Sequence, residues 1–393
     1  MITDLVSAAF GFFVVLPSAY LAFLAAVTML PRRNALDEAP AKGTRFAILV
    51  PAHDEESVIG RTVTRLLELD YPPEAFAIHV VADNCADATA AVAQRQGACV
   101  HERNEPSRRG KGAALNWLVD RVTAEDPHVD AYVVVDADSE LSSDFLCVMA
   151  RHLRAGRRVV QALNLVDVRD DRPLVRMREL AFELGCHLRP LAYELLGGSS
   201  GLFGNGMCIS ASICREFRWS ESSVVEDAEL FFRLVRAGHR VALASGARVR
   251  SVMPTTFRDA RSQALRWERG RFDYMLDAAR LVWTGVSRRD PNALFGGLGS
   301  LNPPFAHLVL ASALGLAAGA VSGSTGLVVL GAVSTCCLLL YALRGAALGE
   351  MSPATILRIL LWAPLYSVWK VWVVALAAVG VGRGQWTRTT RAT

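Results

Sequence analysis

Long apolar stretches at both ends of the chain enclose a central region in which apolar and polar segments alternate. Leu5 to Pro31 contains no charged residue and is long enough to cross a hydrocarbon core of about 30 Å as a helix. A second charge-free stretch, 291–343, is divided by turn-forming residues at 321–326. It predicts a helical hairpin with spans at about 303–321 and 326–343.

The last apolar stretch, Ile356 to Val381, differs because Arg358 and Lys370 interrupt it and Pro364 is expected to kink it. Four aromatic side chains crowd its middle, namely Trp362, Tyr366, Trp369 and Trp372. Aromatic rings beside snorkelling cations are typical of a helix that lies in the membrane interface. We favour that interpretation, which leaves the tail 383–393 in the cytoplasm. The alternative is a fourth crossing with the tail outside.

The charges beside the first apolar stretch predict its orientation. Asp4 precedes the stretch, whereas Arg32 and Arg33 follow it, so the positive-inside rule places the N-terminus outside and the chain from residue 32 onward in the cytoplasm. A cleaved signal peptide would carry its positive charge in front. We expect a multi-pass protein of a bacterial inner membrane. Its predicted segments are 1–31, a cytoplasmic domain at 45–275, a hairpin at 300–345, a helix at 355–382 and the tail 383–393.

Between residue 45 and about residue 240, strand-like and helix-like segments alternate. The runs that suit buried strands are 46–52, 77–82 and 131–135, and the segments with helical spacing are 57–69, 87–96 and 111–122. This alternation predicts an α/β domain with a mostly parallel sheet, whose ligands bind beyond the carboxyl ends of the strands. Acidic clusters stand at those ends, at 51–56, 83–87 and 136–138.

Composition narrows the class of protein. Hydrophobic residues make up 52% of the chain and charged residues 20%, which excludes intrinsic disorder and collagen. The net charge of +4 indicates no nucleic-acid partner. The eight cysteines show no CxxC spacing, so we expect neither a zinc site nor a disulfide framework, as in a reduced compartment.

Several side chains carry candidate chemistry. Asp136 and Asp138, where a strand turns into a loop, can hold a hard divalent cation through oxygen, although such a pair is also an ordinary polar strand end. Lys111 opens a predicted helix and suits a phosphate near the helix N-terminus, or is a solvated basic turn. Glu226 and Asp227 precede another helix, where they cap it or supply a general base.

A further motif lies close to the second apolar stretch. Arg266 offers charge for a diphosphate and Trp267 a stacking surface for a sugar. In isolation, an aromatic residue on an arginine-rich helix beside a membrane span is typical of an interface anchor.

Taken together, the motifs resemble those of the processive family 2 glycosyltransferases, which include the cellulose, hyaluronan and chitin-oligosaccharide synthases. In chain order they are Pro51–Glu56, Asp83–Asp87, Lys111, Asp136-x-Asp138, Glu226-Asp227 and Gln263-x-x-Arg266-Trp267. Each motif is weak alone, but the set in this order is specific. The resemblance covers residues 45–275 and implies a GT-A fold and an inverting transfer of a hexose from a nucleotide sugar, usually a UDP-sugar.

The resemblance also implies roles for these residues. Pro51 and Glu55 would belong to the nucleotide pocket, with Glu55 on the ribose side, and Asp83 would contact the uracil. Asp138 would ligate Mg²⁺ or Mn²⁺, and Asp136 would hold the donor sugar or ribose. Lys111 would lie near the diphosphate, and Asp227, beside Glu226, would be the base. The loop with Gly204, Asn205 and Gly206 would lie beneath the acceptor. Gln263, Arg266 and Trp267 would close over the diphosphate and the acceptor.

Two departures and two alternatives accompany the resemblance. Val225 replaces the usual Thr before the acidic pair, and Asn84-Cys85 replaces Asp-Gly after the second strand, but neither change removes a carboxylate. The leading hypothesis is an enzyme that builds an extracellular polysaccharide or oligosaccharide, as the Gln263-x-x-Arg266-Trp267 motif favours. The small membrane region instead favours transfer of one sugar to a lipid, such as a polyprenyl phosphate or diacylglycerol.

Three or four crossings are fewer than the largest polymer-exporting relatives have, so export would require a second copy or an export partner. A transporter or scaffold that only binds nucleotide is a different class. It is disfavoured because transporters carry polar residues at mid-membrane, whereas the spans here hold few.

Overall fold

The computed structural model describes residues 2–31, 43–168, 170–221, 223 and 225–381. Arg32, Arg33 and the tail 383–393, on which the predicted orientation rests, lie outside the described residues. The strands are β1 (Phe46–Ala52), β2 (Phe76–Asp83), β3 (Cys99–Arg103), β4 (Ala131–Val134), β5 (Ser139–Leu141), β6 (Val159–Asp167), β7 (Met207–Ser210) and β8 (Val241–Val252).

Sixteen α-helices lie in the described part of the chain. The first eight are α1 (Ile2–Phe10), α2 (Leu16–Val27), α3 (Ile59–Leu67), α4 (Thr89–Arg95), α5 (Lys111–Glu125), α6 (Phe145–Arg154), α7 (Pro173–Phe182) and α8 (Arg189–Leu195). The others are α9 (Ala211–Glu216), α10 (Glu226–Arg236), α11 (Phe257–Asp273), α12 (Met275–Arg288), α13 (Pro291–Leu301), α14 (Phe305–Ser322), α15 (Thr325–Leu348) and α16 (Pro353–Ala378). Short π-helical segments, Gly11–Val15 and Glu183–Leu188, join α1 to α2 and α7 to α8.

One eight-stranded sheet organises the central domain, in the order β3-β2-β1-β4-β7-β6-β8-β5. β1 pairs in parallel with both β2 and β4, whereas β7 is antiparallel to its neighbours β4 and β6. The prediction of an α/β domain with a mostly parallel sheet is therefore confirmed. The three predicted strands are β1, β2 and β4, with ends that differ by no more than one residue.

Alternate side chains of β1 enter different cores, because successive residues of a strand point to opposite faces. Ile48 packs with residues of α3 and α6, including Val63 and Met149, on one face. Leu49 packs with residues of α5 and α10, including Leu118, on the other face. Helices cover both faces of the sheet, so a ligand can reach it only at the ends of its strands.

Four helices are long and apolar enough to cross a membrane: Asp4–Val27, Phe305–Ser322, Thr325–Leu348 and Pro353–Ala378. Three buried serines join the first three of them. Ser334 Oγ of α15 lies 2.8 Å from Ser18 Oγ of α2 and 2.6 Å from Ser312 Oγ of α14. Helices form at both predicted hairpin spans, while their crossing of a bilayer stays a prediction.

The last of these helices, α16, continues through Pro364 and contacts the α/β domain. Lys370 Nζ lies 2.8 Å from Glu268 Oε1 of α11, with the two side chains only 15% and 10% exposed. Nearer its start, Arg358 pairs with Asp171. The two cations that interrupt this apolar stretch thus both have carboxylate partners on the α/β domain.

Candidate active site

A cavity of about 1000 Å³ lies at the carboxyl edge of the parallel strands and extends to the start of α14. The candidate residues that line it are Pro51, Glu55, Asp83, Lys111, Asp136, Asp138, Gly204, Asn205, Glu226, Asp227, Gln263, Arg266 and Trp267. Gly206 does not belong to its wall, since a Cβ there would meet Val249 at 2.6 Å. The fold therefore gathers residues that lie more than 200 positions apart in the sequence.

One end of the cavity is formed by Asp83, the last residue of β2. Its Oδ1 accepts a hydrogen bond of 2.5 Å from Arg103, whose side chain is 1% exposed at the end of the neighbouring β3. Burial raises the pKa of the Asp83 carboxyl, and Arg103 opposes that shift. Asn84 follows with a φ of 51°, a left-handed conformation that asparagine tolerates. Arg103 could not be predicted from the sequence, because its role depends on the pairing of β2 with β3.

Asp136 and Asp138 lie just beyond β4, and Asn205 holds their loop in place. The Asn205 carboxamide accepts a hydrogen bond of 3.1 Å from the backbone N–H of Asp136 and donates to the hydroxyls of Ser139, at 2.8 Å, and Ser251, at 3.0 Å. Asn205 is buried, and its amide braces the acidic loop. Of the glycine loop beneath the expected acceptor, Gly204 and Asn205 lie at the cavity wall.

Lys111 joins the acidic loop to the glycine loop. Its ammonium donates to Asp136 Oδ1 at 2.5 Å and to the carbonyl oxygen of Gly204 at 2.6 Å. Burial favours a lower pKa for Lys111, but the carboxylates of Asp136, Glu226 and Asp227 outweigh it and raise the pKa. A permanent positive charge therefore sits at the centre of the cavity, next to the carboxylates.

Asp227 lies in the first turn of α10 and faces the same point. A Cβ on Gly204, which has a φ of +73°, would lie 3.1 Å from Asp227 Oδ2, so this glycine leaves room for the carboxylate. Burial and the neighbouring Glu226 raise the pKa of Asp227 to about 7, against the opposing charge of Lys111. A carboxylate with such a pKa suits a general base near neutral pH.

The helix α11 forms one wall of the cavity, with Gln263, Arg266 and Trp267 among its lining residues. Arg178 of α7 donates to Gln263 Oε1, and its guanidinium carbon lies 5.4 Å from the centroid of the Trp267 ring. The Trp267 ring also lies 5.9 Å from that of Phe182. Arg178 is 5% exposed and fixes two of the candidate residues at once. It escaped the sequence analysis because it lies 85 positions before Gln263.

Val225, the residue that departs from the usual motif, has a packing role. A Cβ on Gly270 would lie 2.4 Å from the Val225 methyl groups, so these methyl groups occupy the space in front of α11. The valine thus joins the start of α10 to the helix that carries Trp267. The departure leaves the acidic pair in place.

Asp136 and Asp138 provide carboxylate oxygens, the ligands that Mg²⁺ and Mn²⁺ prefer. Pairing of β2 with β3 also brings His79 Nδ1 to 3.2 Å from His101 Nε2, near Glu125, outside this cavity. A second group is His53-Asp54-Cys85, of which His53 lines the cavity. Its atoms bond to the protein: His53 Nδ1 lies 2.6 Å from the carbonyl oxygen of Asp83. The acidic pair therefore fits a hard cation best.

The sheet and its covering helices form the GT-A fold of nucleotide-sugar glycosyltransferases. Residues 43–270 match the model of the family described as Glycosyltransferase like family 2, and the chain belongs to this family. The predictions of a GT-A fold and of family 2 membership are confirmed.

The chain is similar to beta-monoglucosyldiacylglycerol synthase of Synechocystis sp., with 26% identity over 256 residues, which are 61% of this chain and 50% of that protein. It is also similar to an N-acetylglucosaminyltransferase of Rhizobium leguminosarum bv. viciae, with 24% identity, covering 61% of this chain and 60% of that protein. The chain thus spans about half of the length of the first relative and three fifths of the second.

A solved structure shares the fold over almost the whole chain. This is the mannosyltransferase PcManGT from Pyrobaculum calidifontis in complex with GDP-Man and Mn²⁺, with a TM-score of 0.62, 18% identity and 98% coverage of both chains. The similarity extends beyond the α/β domain to the flanking helices, and at this identity it shows the fold alone.

Proposed function

We propose that this protein transfers a single sugar from a nucleotide sugar, a UDP-sugar, to a hydroxyl group of a membrane lipid. The observation that carries the proposal is the continuity of one cavity from Asp83, past Asp227, to Asn302 and Pro304 at the start of α14. A donor at the strand edge and an acceptor entering from the apolar helices would meet at Asp227. The names of the diacylglycerol relatives point to the same acceptor class.

The residues around this meeting point have separable parts in the proposed reaction. Asp138 and Asp136 would hold a divalent cation, which would offset the charge of the departing diphosphate. Lys111 adds a fixed positive charge on the same side. Asp227 accepts the proton of the acceptor hydroxyl as that oxygen attacks the anomeric carbon from the face opposite the leaving group, which inverts the configuration.

The wall formed by α11 positions the two substrates. Arg266 offers its guanidinium to the diphosphate, and Trp267 offers an aromatic face to the sugar. Arg178 holds both Gln263 and Trp267, so this wall is already ordered before substrate arrives. A preordered wall lowers the entropic cost of holding the two substrates in the reacting geometry.

We also propose that α16 lies in the membrane interface and that the α/β domain is cytoplasmic, at a bacterial inner membrane. Residues Arg358 and Trp372 of α16 both contact the domain, the second through a separation of 4.8 Å between its ring centroid and the guanidinium carbon of Arg261. These two positions are about 21 Å apart along a helix. A helix that crossed the bilayer would lose contact with a cytoplasmic domain after less than this length. A helix lying flat in the interface stays in contact with the domain along its whole length.

Purified protein in detergent tests the proposed function. It is supplied with a panel of UDP-sugars, with GDP-mannose as a comparison, and with a bilayer lipid extract, and UDP release is measured. The expected product partitions into organic solvent and carries one sugar. A water-soluble ladder of products would instead support the polysaccharide hypothesis, which the Gln263-x-x-Arg266-Trp267 motif favours, and would contradict this proposal.

A further inference from the structure

Two arginines line the cavity at its membrane end, beyond the residues assigned to the reaction. Arg189 is the first residue of α8, and Arg271 lies in the last turn of α11. Both belong to the cavity wall together with Asn302 and Pro304, which precede the apolar helix α14. A lipid that entered from the bilayer would pass them before it reached Asp227.

Arg189 has no carboxylate within ion-pair distance among the residues that the structure describes. Its guanidinium donates to the carbonyl oxygen of Gly299 at 2.9 Å. Three tyrosines and a thiol lie around it, namely Tyr341, Tyr193, Tyr20 and Cys186. A guanidinium held among such neutral groups keeps its full charge, and taking that charge out of water is unfavourable unless an anion accompanies it.

Arg271 is also only partly neutralised. Its guanidinium donates to the carbonyl oxygen of Asn302 at 2.9 Å and lies 3.7 Å from Glu268 Oε2. The other oxygen of that carboxylate is held at 2.8 Å by Lys370. Burial lowers the pKa of Arg271, the carboxylate of Glu268 opposes this, and the charge of Arg189 lowers it further, so the two arginines repel each other.

One carboxylate therefore serves a region with three cations. Arg189, Arg271 and Lys370 contribute three positive charges and Glu268 one negative charge, which leaves two positive charges at the membrane end of the cavity. Two guanidinium groups facing one space suit the paired oxygens of a phosphate.

The depth of the site indicates the source of that phosphate. Tyr20, a neighbour of Arg189, lies seven residues before the end of α2, about 10 Å along the helix. Tyr341 of α15 donates to the carbonyl oxygen of Leu184, just before α8. The arginines thus lie near the ends of the apolar helices, which is where lipid headgroups would lie if these helices cross the bilayer as proposed.

We propose that Arg189 and Arg271 bind the phosphate of an anionic lipid and thereby select a phosphate-bearing lipid as the acceptor. The inference rests on the proposed transfer to a lipid and deepens it, because a neutral lipid such as diacylglycerol offers no partner for these charges. The hydroxyl that accepts the sugar then belongs to the same headgroup and extends toward Asp227.

Lipid binding tests this inference without turnover. The detergent-solubilised full-length protein is mixed with equal amounts of phosphatidylglycerol and diacylglycerol, and the retained lipid is identified by native mass spectrometry. We expect retention of phosphatidylglycerol, with at least about tenfold weaker retention in Arg189→Gln and Arg271→Gln, as loss of a charged hydrogen bond implies. Arg189→Lys keeps the charge but loses the planar fork, so its retention should be intermediate. Arg280→Gln, on an exposed face of α12, is the matched control and should retain lipid like the parent.

Turnover with the same lipids provides the second measurement. Transfer to phosphatidylglycerol should show a KM raised at least about tenfold in both glutamine variants, with an unchanged KM for the nucleotide sugar. Preferred retention of diacylglycerol, or equal retention in parent and variants, would overturn the inference. Competition by free glycerol phosphate as strong as that by the lipid would also overturn it, since the site would then bind a soluble phosphate. Selective retention without any transfer would support the lipid site while contradicting the proposed function.

Discussion

The ion pair between Lys370 and Glu268 connects helix α16 to α11, the helix that carries Trp267. Replacing Lys370 by Met removes the charge and keeps an unbranched apolar side chain. Removing one partner of a buried ion pair costs about 3–5 kcal/mol when the other charge is left alone. Here Arg271, 3.7 Å from the second Glu268 oxygen, takes over part of the interaction. We therefore expect Lys370→Met to destabilise the protein by about 2–3 kcal/mol.

The opposite replacement should cost more. Glu268→Gln leaves two cations, Lys370 and Arg271, without the carboxylate that they share, and we expect the full loss of about 3–5 kcal/mol. The double variant Lys370→Met/Glu268→Gln should lose less stability than the sum of the two single variants. In the double variant neither a buried ammonium nor a buried carboxylate is left without its partner. The order of stability should therefore be parent, then Lys370→Met, then Glu268→Gln.

Thermal unfolding in detergent, followed by tryptophan fluorescence, measures these differences. About 2–3 kcal/mol corresponds to a fall in Tm of about 5–10 °C for a domain of this size. Arg65→Met, which breaks the exposed pair with Glu68, is the matched control and should leave Tm unchanged. If Lys370→Met and Glu268→Gln also leave Tm unchanged, the pair does not hold α11 against α16, and the reasoning is refuted.

Four further predictions concern the cavity. Asp227→Asn should lower kcat by about 10²–10⁴-fold while UDP affinity, measured by titration, is kept; an equal loss of UDP binding would make Asp227 a structural residue. Since the pKa of Asp227 is about 7 and the base acts ionised, kcat/KM should fall as the pH drops below 7 and level off above it, and a flat rate profile from pH 5.5 to 8 would contradict this. Turnover should require a divalent cation and be lost in Asp138→Asn, so full transfer in excess EDTA would reject the metal site. Asn205→Ala should weaken activation by Mn²⁺ about 10–100-fold in a metal titration, because the acidic loop loses its brace, and unchanged activation would exclude that role.

The sequence predicted best what depends on local pattern. β1, β2 and β4 are buried parallel strands, which appear as uninterrupted apolar runs, and their bounds were found to within one residue. β7 escaped notice because it has only four residues and runs antiparallel within the sheet. β8 escaped notice because Arg248 and Arg250 alternate with buried residues in its second half. Short or alternating strands need their neighbours before they can be recognised.

Contacts between distant segments explain the remaining differences. The sequence explained Lys370 by snorkelling toward water, whereas its ammonium has a carboxylate partner about one hundred positions earlier in the chain. Contact of Asn205 with an acceptor stays a prediction, and the fold gives its amide oxygen the backbone N–H of Asp136 as a partner. In both cases the residue type indicated a polar interaction correctly, and only the fold specifies the partner.

The serine cluster of the apolar helices has a consequence for how the protein is made. Ser18 and Ser334 are separated by 316 positions, so at a synthesis rate of about 5–20 residues per second the first helix waits for about 15–60 s before its partner exists. During that time the Ser18 hydroxyl has the carbonyl oxygen of Val14 in its own helix as an acceptor, at 2.7 Å. In the proposed membrane arrangement, the first helix can therefore persist alone in the bilayer while the α/β domain folds, and the helical bundle closes only after both have formed.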